Sequence, residues 1–169
     1  MTEVTFKIFR YKPGVIDPPR YDTFKVEVDE QMSVLDVLEK LRINDETLTY
    51  RHSCHHGSCG TCGMLVNGKE MLAGVANVHD LGATEVTVEP LRNAPLISDL
   101  VVSMVPFFDK YAPMEMPLIR HSEYLPEGQP SEEVGRYTRY ENCLECGLCL
   151  SACPVVATDP AYLGPAALA

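Results

Sequence analysis

Hydrophobic and polar residues alternate from Val4 to Tyr11, with Val4, Phe6 and Ile8 on one face and Thr5, Lys7 and Phe9 on the other. A period of two predicts a half-buried strand. Phe24, Val26 and Val28 repeat the pattern within Thr23 to Val28. Pro13-Gly14 and Pro18-Pro19 between them mark a turn and an extended connection, so a hairpin is expected. The period then changes. Val34, Leu35, Val37, Leu38 and Leu41 recur at helical spacing, ending near Arg42. Ser33 is a suitable N-cap, and Asp36 holds the capping-box position, where Glu or Gln is more usual. Short strands follow at Met64 to Val66 and Thr84 to Glu89, with an Asn67-Gly68 turn signal before Lys69.

The texture changes after Pro90. Ser98-Asp99 is expected to cap a helix running to Asp109, with Leu100, Val101, Met104, Phe107 and Phe108 apolar, although Pro106 predicts a kink or an early end. Residues 112–136 carry Pro113, Pro117, Pro126 and Pro130 and read as a linker or wrapping segment. From Tyr137 to Ala152 the pattern supports a helix. The expected organisation is an α+β unit over 1–92, a helix and linker over 93–136, and the start of a helical domain over 137–169. No internal repeat is visible.

Composition narrows the class. The chain has 169 residues, 46% hydrophobic and 22% charged, with a net charge of -10. Such a balance is globular, and the acidic charge disfavours a phosphate backbone, so no nucleic-acid partner is expected. The alternating N-terminus lacks the apolar core of a secretory signal. The longest apolar stretch, Leu100 to Phe108, is broken by Ser103 and Pro106 and is far short of the roughly 18 residues of a membrane span. The chain is expected to be soluble if isolated, with docking on a membrane partner left open.

Cysteine usage changes the picture most. Seven cysteines cannot all pair within one chain, and no secretion signal argues for disulfides, so metal or redox chemistry is indicated. Cys54, Cys59 and Cys62 form C-x4-C-x2-C, the plant-type [2Fe–2S] spacing. Gly57, Gly60 and Gly63 allow the backbone to wrap closely and aim N–H groups at sulfur. Zinc fits this spacing poorly, and three free thiols are the plain alternative. A fourth thiolate is expected in the segment Met71-Leu72-Ala73-Gly74, but Gly74 has no side chain. Either another ligand or water completes the cluster, or the cluster is incomplete, labile or absent. His55, His56, His79 and Asp80 are the candidate substitutes, since imidazole replaces thiolate in Rieske centres; the ordinary role of each is a solvated surface side chain.

The second run is Cys143-Leu144-Glu145-Cys146-Gly147-Leu148-Cys149-Leu150-Ser151-Ala152-Cys153-Pro154, a C-x2-C-x2-C-x3-C-P pattern without deviation. In the bacterial-ferredoxin rule its first three cysteines hold one cubane and the fourth ligates another cluster. No cysteine follows Cys153, and the sequence stops within an apparent helix at Gly164 to Ala169. The expectation is a fragment of a longer chain, with a second polypeptide supplying the missing half as the rival.

Together these segments resemble the iron–sulfur subunit of succinate dehydrogenase and fumarate reductase. The resemblance covers nearly the whole chain. It rests on Arg51-His52-Ser53-Cys54, Cys59 to Met64, Asn67-Gly68, Leu72-Ala73, Glu89-Pro90-Leu91, Asp99-Leu100-Val101, Glu141 to Pro154 and Tyr162 to Ala166. It implies an N-terminal β-grasp, plant-type ferredoxin domain and a helical, bacterial-ferredoxin-like domain that is incomplete here. It implies [2Fe–2S] on Cys54, Cys59 and Cys62, [4Fe–4S] on Cys143, Cys146 and Cys149, and [3Fe–4S] on Cys153. Single electrons would pass between FAD of a flavoprotein subunit and a quinone at a membrane anchor subunit, as in the tricarboxylic acid cycle. The place implied is peripheral, at the cytoplasmic face of the membrane. Three departures stand out: Gly74, the missing second set of cubane cysteines, and the absence of Trp, with Val155 to Thr158 where many succinate dehydrogenases carry quinone-site aromatics. Asp159 to Pro165 looks more like the fumarate reductase side.

No catalytic residue is expected on this chain. Arg51, His52 and His121 read as structural or exposed. Two rival readings remain: a subunit of a thiol-dependent fumarate reductase or heterodisulfide-type complex, and a non-catalytic iron–sulfur module.

Overall fold

A computed structural model describes residues 2–110, 143–159 and 161–168. The first alternating segment is strand β1 (Thr2–Lys12), which pairs antiparallel with β2 (Ile16–Val28). Both run longer than the hydrophobic pattern alone indicates, because Arg20, Tyr21 and Asp22 find ladder partners on β1 and, past a register shift, so does Ile16. The described chain continues with α1 (Val34–Asn44), β3 (Gly63–Val66), β4 (Lys69–Leu72) and β5 (Glu85–Glu89). These strands form a five-stranded mixed sheet in the order β2-β1-β5-β3-β4, with β1 and β5 parallel at its centre. Asn67 and Gly68 both adopt positive φ, 50° and 75°, which fits the two-residue turn between β3 and β4.

Helix α1 starts as its residues dictate. Ser33 Oγ accepts the Asp36 N–H at 3.2 Å, and the Asp36 carboxylate accepts the Ser33 N–H at 2.8 Å, so Asp serves in the capping box. The helix buries Val34, Leu35, Val37, Leu38 and Leu41 in the core that holds Val4, Phe6 and Ile8 of β1. Full burial of a side chain such as Phe6 or Ile8 stabilises by about 1.5–3 kcal/mol.

One residue on that inward face was not anticipated. Period two places Arg10 beside Ile8, and its side chain is only 1% exposed. Its guanidinium donates to Asp99 (3.2 Å), Asp22 (3.0 Å), Asp45 (2.7 Å) and Thr47 (2.6 Å). Asp99, fully buried, also accepts the N–H groups of Tyr11 and Thr49. Arg10 thus ties both strands of the hairpin to the end of α1 and to the segment after the sheet.

That network explains a correction. Residues 98–109 are not one helix. Leu96–Ser98 and Val101–Val102 are short strands, β6 and β7, and only Val105–Asp109 is helical, α2. Asp99 sits at φ 42° with its carboxylate turned inward rather than capping. Pro106 falls in the first turn of α2, where its missing N–H costs nothing.

The second cysteine run also departs from expectation. Residues 143–147 are not helical; helix α3 spans only Leu148–Ala152, followed by α4 (Pro154–Thr158) and α5 (Pro165–Leu168). Gly147 at φ 75° separates the loop from α3. The expected linker and the start of the expected helix at Tyr137, with His121, lie outside the described residues. None of the described helices is long and apolar enough to cross a membrane.

Candidate iron–sulfur sites

The first cysteine loop is held between α1 and the β3–β4 hairpin. Cys62 is buried just before β3, while Cys54 and Cys59 are half-buried. The Cys54 sulfur accepts the N–H groups of Ser58 and Cys59, each at 3.3 Å. The Cys62 sulfur accepts the Gly74 N–H at 3.4 Å, and Cys59 Sγ lies 3.2 Å from Thr61 Oγ1. Backbone donors aimed at sulfur favour thiolate. The Cys54 thiol is pushed down to about 5, chiefly by its hydrogen bond with the Ser58 side chain and then by the His56 backbone. Thiolate is the form that ligates iron, so the donor set fits an iron–sulfur group.

Gly74, at which the sequence expects a fourth thiolate, lies beside Cys62. A Cβ built on it would lie 3.5 Å from Cys62 Sγ, 3.5 Å from His55 Cα and 3.4 Å from Leu35 Cδ2, all ordinary contacts. Of the four candidate substitutes, His55 has its Cα among the three atoms nearest to this gap. The His56 ring bonds Cys54 O and, at 2.9 Å, Ser58 Oγ. His79 and Asp80 face each other at 3.8 Å, both largely exposed, near Val78, Asp29 and Glu30. His52 joins a cluster not foreseen: its Nδ1 lies 3.2 Å from His55 Nε2 and 3.5 Å from Glu39 Oε1, and His55 Nε2 lies 3.3 Å from Glu39 Oε1.

In the second run, Cys146 and Cys153 are half-buried and Cys143 and Cys149 exposed. The Cys149 thiol is pushed up, first by enclosure in the loop and then by the charges of Cys146 and Cys143. Cys153 closes α3, where Asn93 Nδ2 donates to the carbonyls of Leu150, Ser151 and Cys153 at 3.0–3.1 Å. Ser151 Oγ accepts the Arg92 N–H (2.9 Å) and donates to Glu70 of β4 (3.0 Å). Neither Asn93 nor Ser151 stands out in the sequence, because neither matches a ligand pattern.

The two loops touch. A Cβ on Gly60, which sits at φ 69°, would come within 2.6 Å of Leu144 O and 2.9 Å of Cys146 Cβ. One on Gly63 would meet Cys146 O at 3.0 Å. A cavity of about 230 Å³ opens at this seam, its lining including Arg51, Cys59, Thr61, Met104, Glu145 and Cys146.

Comparison with known proteins agrees with the cysteine chemistry. Residues 5–109 match the model of a 2Fe-2S iron-sulfur cluster binding domain. The chain is 37% identical over 174 residues to a fumarate reductase iron-sulfur subunit of Mycobacterium tuberculosis, covering all of this chain and 70% of the relative. It is 33% identical to a succinate dehydrogenase iron-sulfur subunit of Coxiella burnetii, covering 98% of this chain and 72% of that one. Among solved structures, a chain of the Mycobacterium smegmatis Sdh1 complex in the apo form superposes with a TM-score of 0.81 at 26% identity, over 97% of this chain and 70% of that one.

Proposed function

Because the chain belongs to the family of iron–sulfur subunits of succinate dehydrogenases and fumarate reductases, we propose that it carries single electrons between FAD of a flavoprotein subunit and a quinone at a membrane anchor. Residues 1–92 are read as a β-grasp ferredoxin-type domain, 93–136 as a connection, and 137–169 as the beginning of a bacterial-ferredoxin-like domain. Cys54, Cys59 and Cys62 would hold [2Fe–2S]. Cys143, Cys146 and Cys149 would hold [4Fe–4S], and Cys153 would ligate [3Fe–4S]. When bound, such clusters take up and release one electron at a time. The peripheral position at the cytoplasmic face belongs to the same reading.

A single observation carries it: the Gly60–Cys146 contact brings the two cysteine loops within van der Waals reach. Electron tunnelling weakens steeply with distance, so two thiolate loops in contact suit a relay, where two separate storage sites need no contact. The protein's own residues tune the path. Ser58, Cys59 and Gly74 donate N–H groups to cysteine sulfurs, which lowers electron density there and raises the reduction potential. Oxidation of the dicarboxylate belongs to the partner flavin.

The test is reduction in the assembled complex, followed by electron paramagnetic resonance. Succinate or a quinol is expected to reduce centres on this chain. Centres that respond to neither, yet are reduced by a thiol pair, would move the chain to the thiol-dependent class and sink this reading.

A further inference from the structure

We propose that the imidazole of His55 is the fourth ligand of the cluster held by Cys54, Cys59 and Cys62, occupying the coordination position that Gly74 leaves without a side chain. This rests on the reading of the first loop as a [2Fe–2S] site and names its missing ligand.

The gap has a defined place. Gly74 donates its N–H to the Cys62 sulfur, and a side chain leaving Gly74 would start 3.5 Å from that sulfur. A ligand there would therefore stand next to the Cys62 sulfur. The same point is 3.5 Å from His55 Cα, so the His55 side chain originates at the rim of the gap. Reach is not limiting, because an imidazole extends further from its Cα than a thiolate does.

The outer face of the ring is already arranged as metal-binding histidines are. A ligating imidazole commonly gives its other nitrogen to a carboxylate, which fixes the tautomer and orients the ring. His55 Nε2 lies 3.3 Å from Glu39 Oε1 and 3.2 Å from His52 Nδ1. His55 Nδ1 has no hydrogen-bond partner among the described residues. Glu39 stands one helical turn beyond Leu35, the residue that walls the Gly74 gap. Backbone geometry adds an independent point. His55 holds φ at 57°, a left-handed conformation more cheaply adopted by glycine. Retaining a side chain at that position suits one that is used. His56, by contrast, has both ring nitrogens engaged within the loop.

The experiment uses the full chain, purified without oxygen, reduced with dithionite and examined by pulsed electron paramagnetic resonance with histidine ring nitrogens labelled with ¹⁵N. The expected result is one strongly coupled nitrogen on the reduced [2Fe–2S] signal, changing with the label. His55→Ala is expected to lose that coupling and the first-loop sulfide. His55→Cys should keep the sulfide without the nitrogen. The double variant Gly74→Cys with His55→Ala should do the same and guards against a folding defect in the single variant, while His79→Ala should leave the spectrum as it was. A [2Fe–2S] signal with no coupled nitrogen, or a coupling that survives His55→Ala, overturns the His55 assignment and leaves the [2Fe–2S] reading standing. A wild-type chain with no such signal, its sulfide accounted for by the second run, overturns both.

Discussion

The two cysteine loops rest on very different foundations. The first is built into the mixed sheet: Cys62 belongs to a cluster of twenty buried residues that includes α1 and four strands. The second rests on α2 to α5, where Phe107, Leu150 and Val156 are the buried hydrophobic core. What holds the second loop is borrowed. Asn93, Arg92 and Glu70 bond it to the sheet unit, and Gly60 and Gly63 let it sit against the first loop. A cluster on the first loop would therefore serve function, whereas one on the second would serve structure as well. Metal binding to a poorly preformed site contributes folding energy.

The largest expected effect follows from that asymmetry. Cys146→Ser should abolish the second-run cluster and leave residues 143–168 open to protease, while the circular dichroism of the sheet persists. Equal resistance to proteolysis in the variant and the wild type would show that the small core suffices, and the contrast between the loops would collapse.

The converse break strikes the sheet unit. Arg10 is buried among Asp22, Asp45 and Asp99; burial by itself lowers its pKa, but the Asp45 and Asp99 carboxylates outweigh that and raise it. Arg10→Met leaves Asp99 buried without its cation, at a cost of about 3–5 kcal/mol. Denaturant unfolding measures it. A loss below about 1 kcal/mol, the value of an exposed pair, would mean the network is ornamental and that apolar packing alone anchors the first loop.

These residues also mark where the sequence was legible. The period-two and helical patterns located β1, β2 and α1, because each exposes one face and buries the other. Ser33-Asp36 and Asn67-Gly68 were legible because their chemistry is local. Both cysteine runs were legible as spacing. What failed was long-range. Asp99 reads as a helix cap until Arg10, 89 positions away, claims its carboxylate. The cysteine-bearing part of the 137–152 segment reads as helical, yet 143–147 form a loop. The gap at Gly74 was visible in the sequence, but Glu39 and His52 beside His55 were not, since helix α1 and the loop meet only in the fold.

A subtler change sharpens the comparison by separating the loops without unfolding either. Gly60→Ala places a Cβ 2.6 Å from Leu144 O, at a positive φ that alanine tolerates poorly. The seam must open. Both clusters should still be assembled, and the magnetic interaction between their reduced forms should weaken, with turnover of the complex falling several-fold. An unchanged interaction would show that the contact is not what couples the sites.

The smallest expected effect lies in acid, and it concerns the sheet unit alone. The Asp45 carboxyl is held below its usual range, first by the Thr47 hydroxyl, against some opposing burial, and further by Arg10. A carboxyl lowered in the folded state contributes stability that is complete above its unfolded value, about 3.9. That contribution is lost as pH falls through the folded value, below the ordinary carboxylate range. Asp45→Asn removes the titration, so stability in acid should fall less steeply than in wild type, while at neutral pH the variant should be slightly weaker. Cluster loss in acid is common to both proteins, so the difference between their melting temperatures across the pH series isolates Asp45. Parallel curves would mean that Asp22 and Asp99 hold Arg10 without it, and that the end of α1 is tied to the sheet by Thr47 and packing rather than by charge.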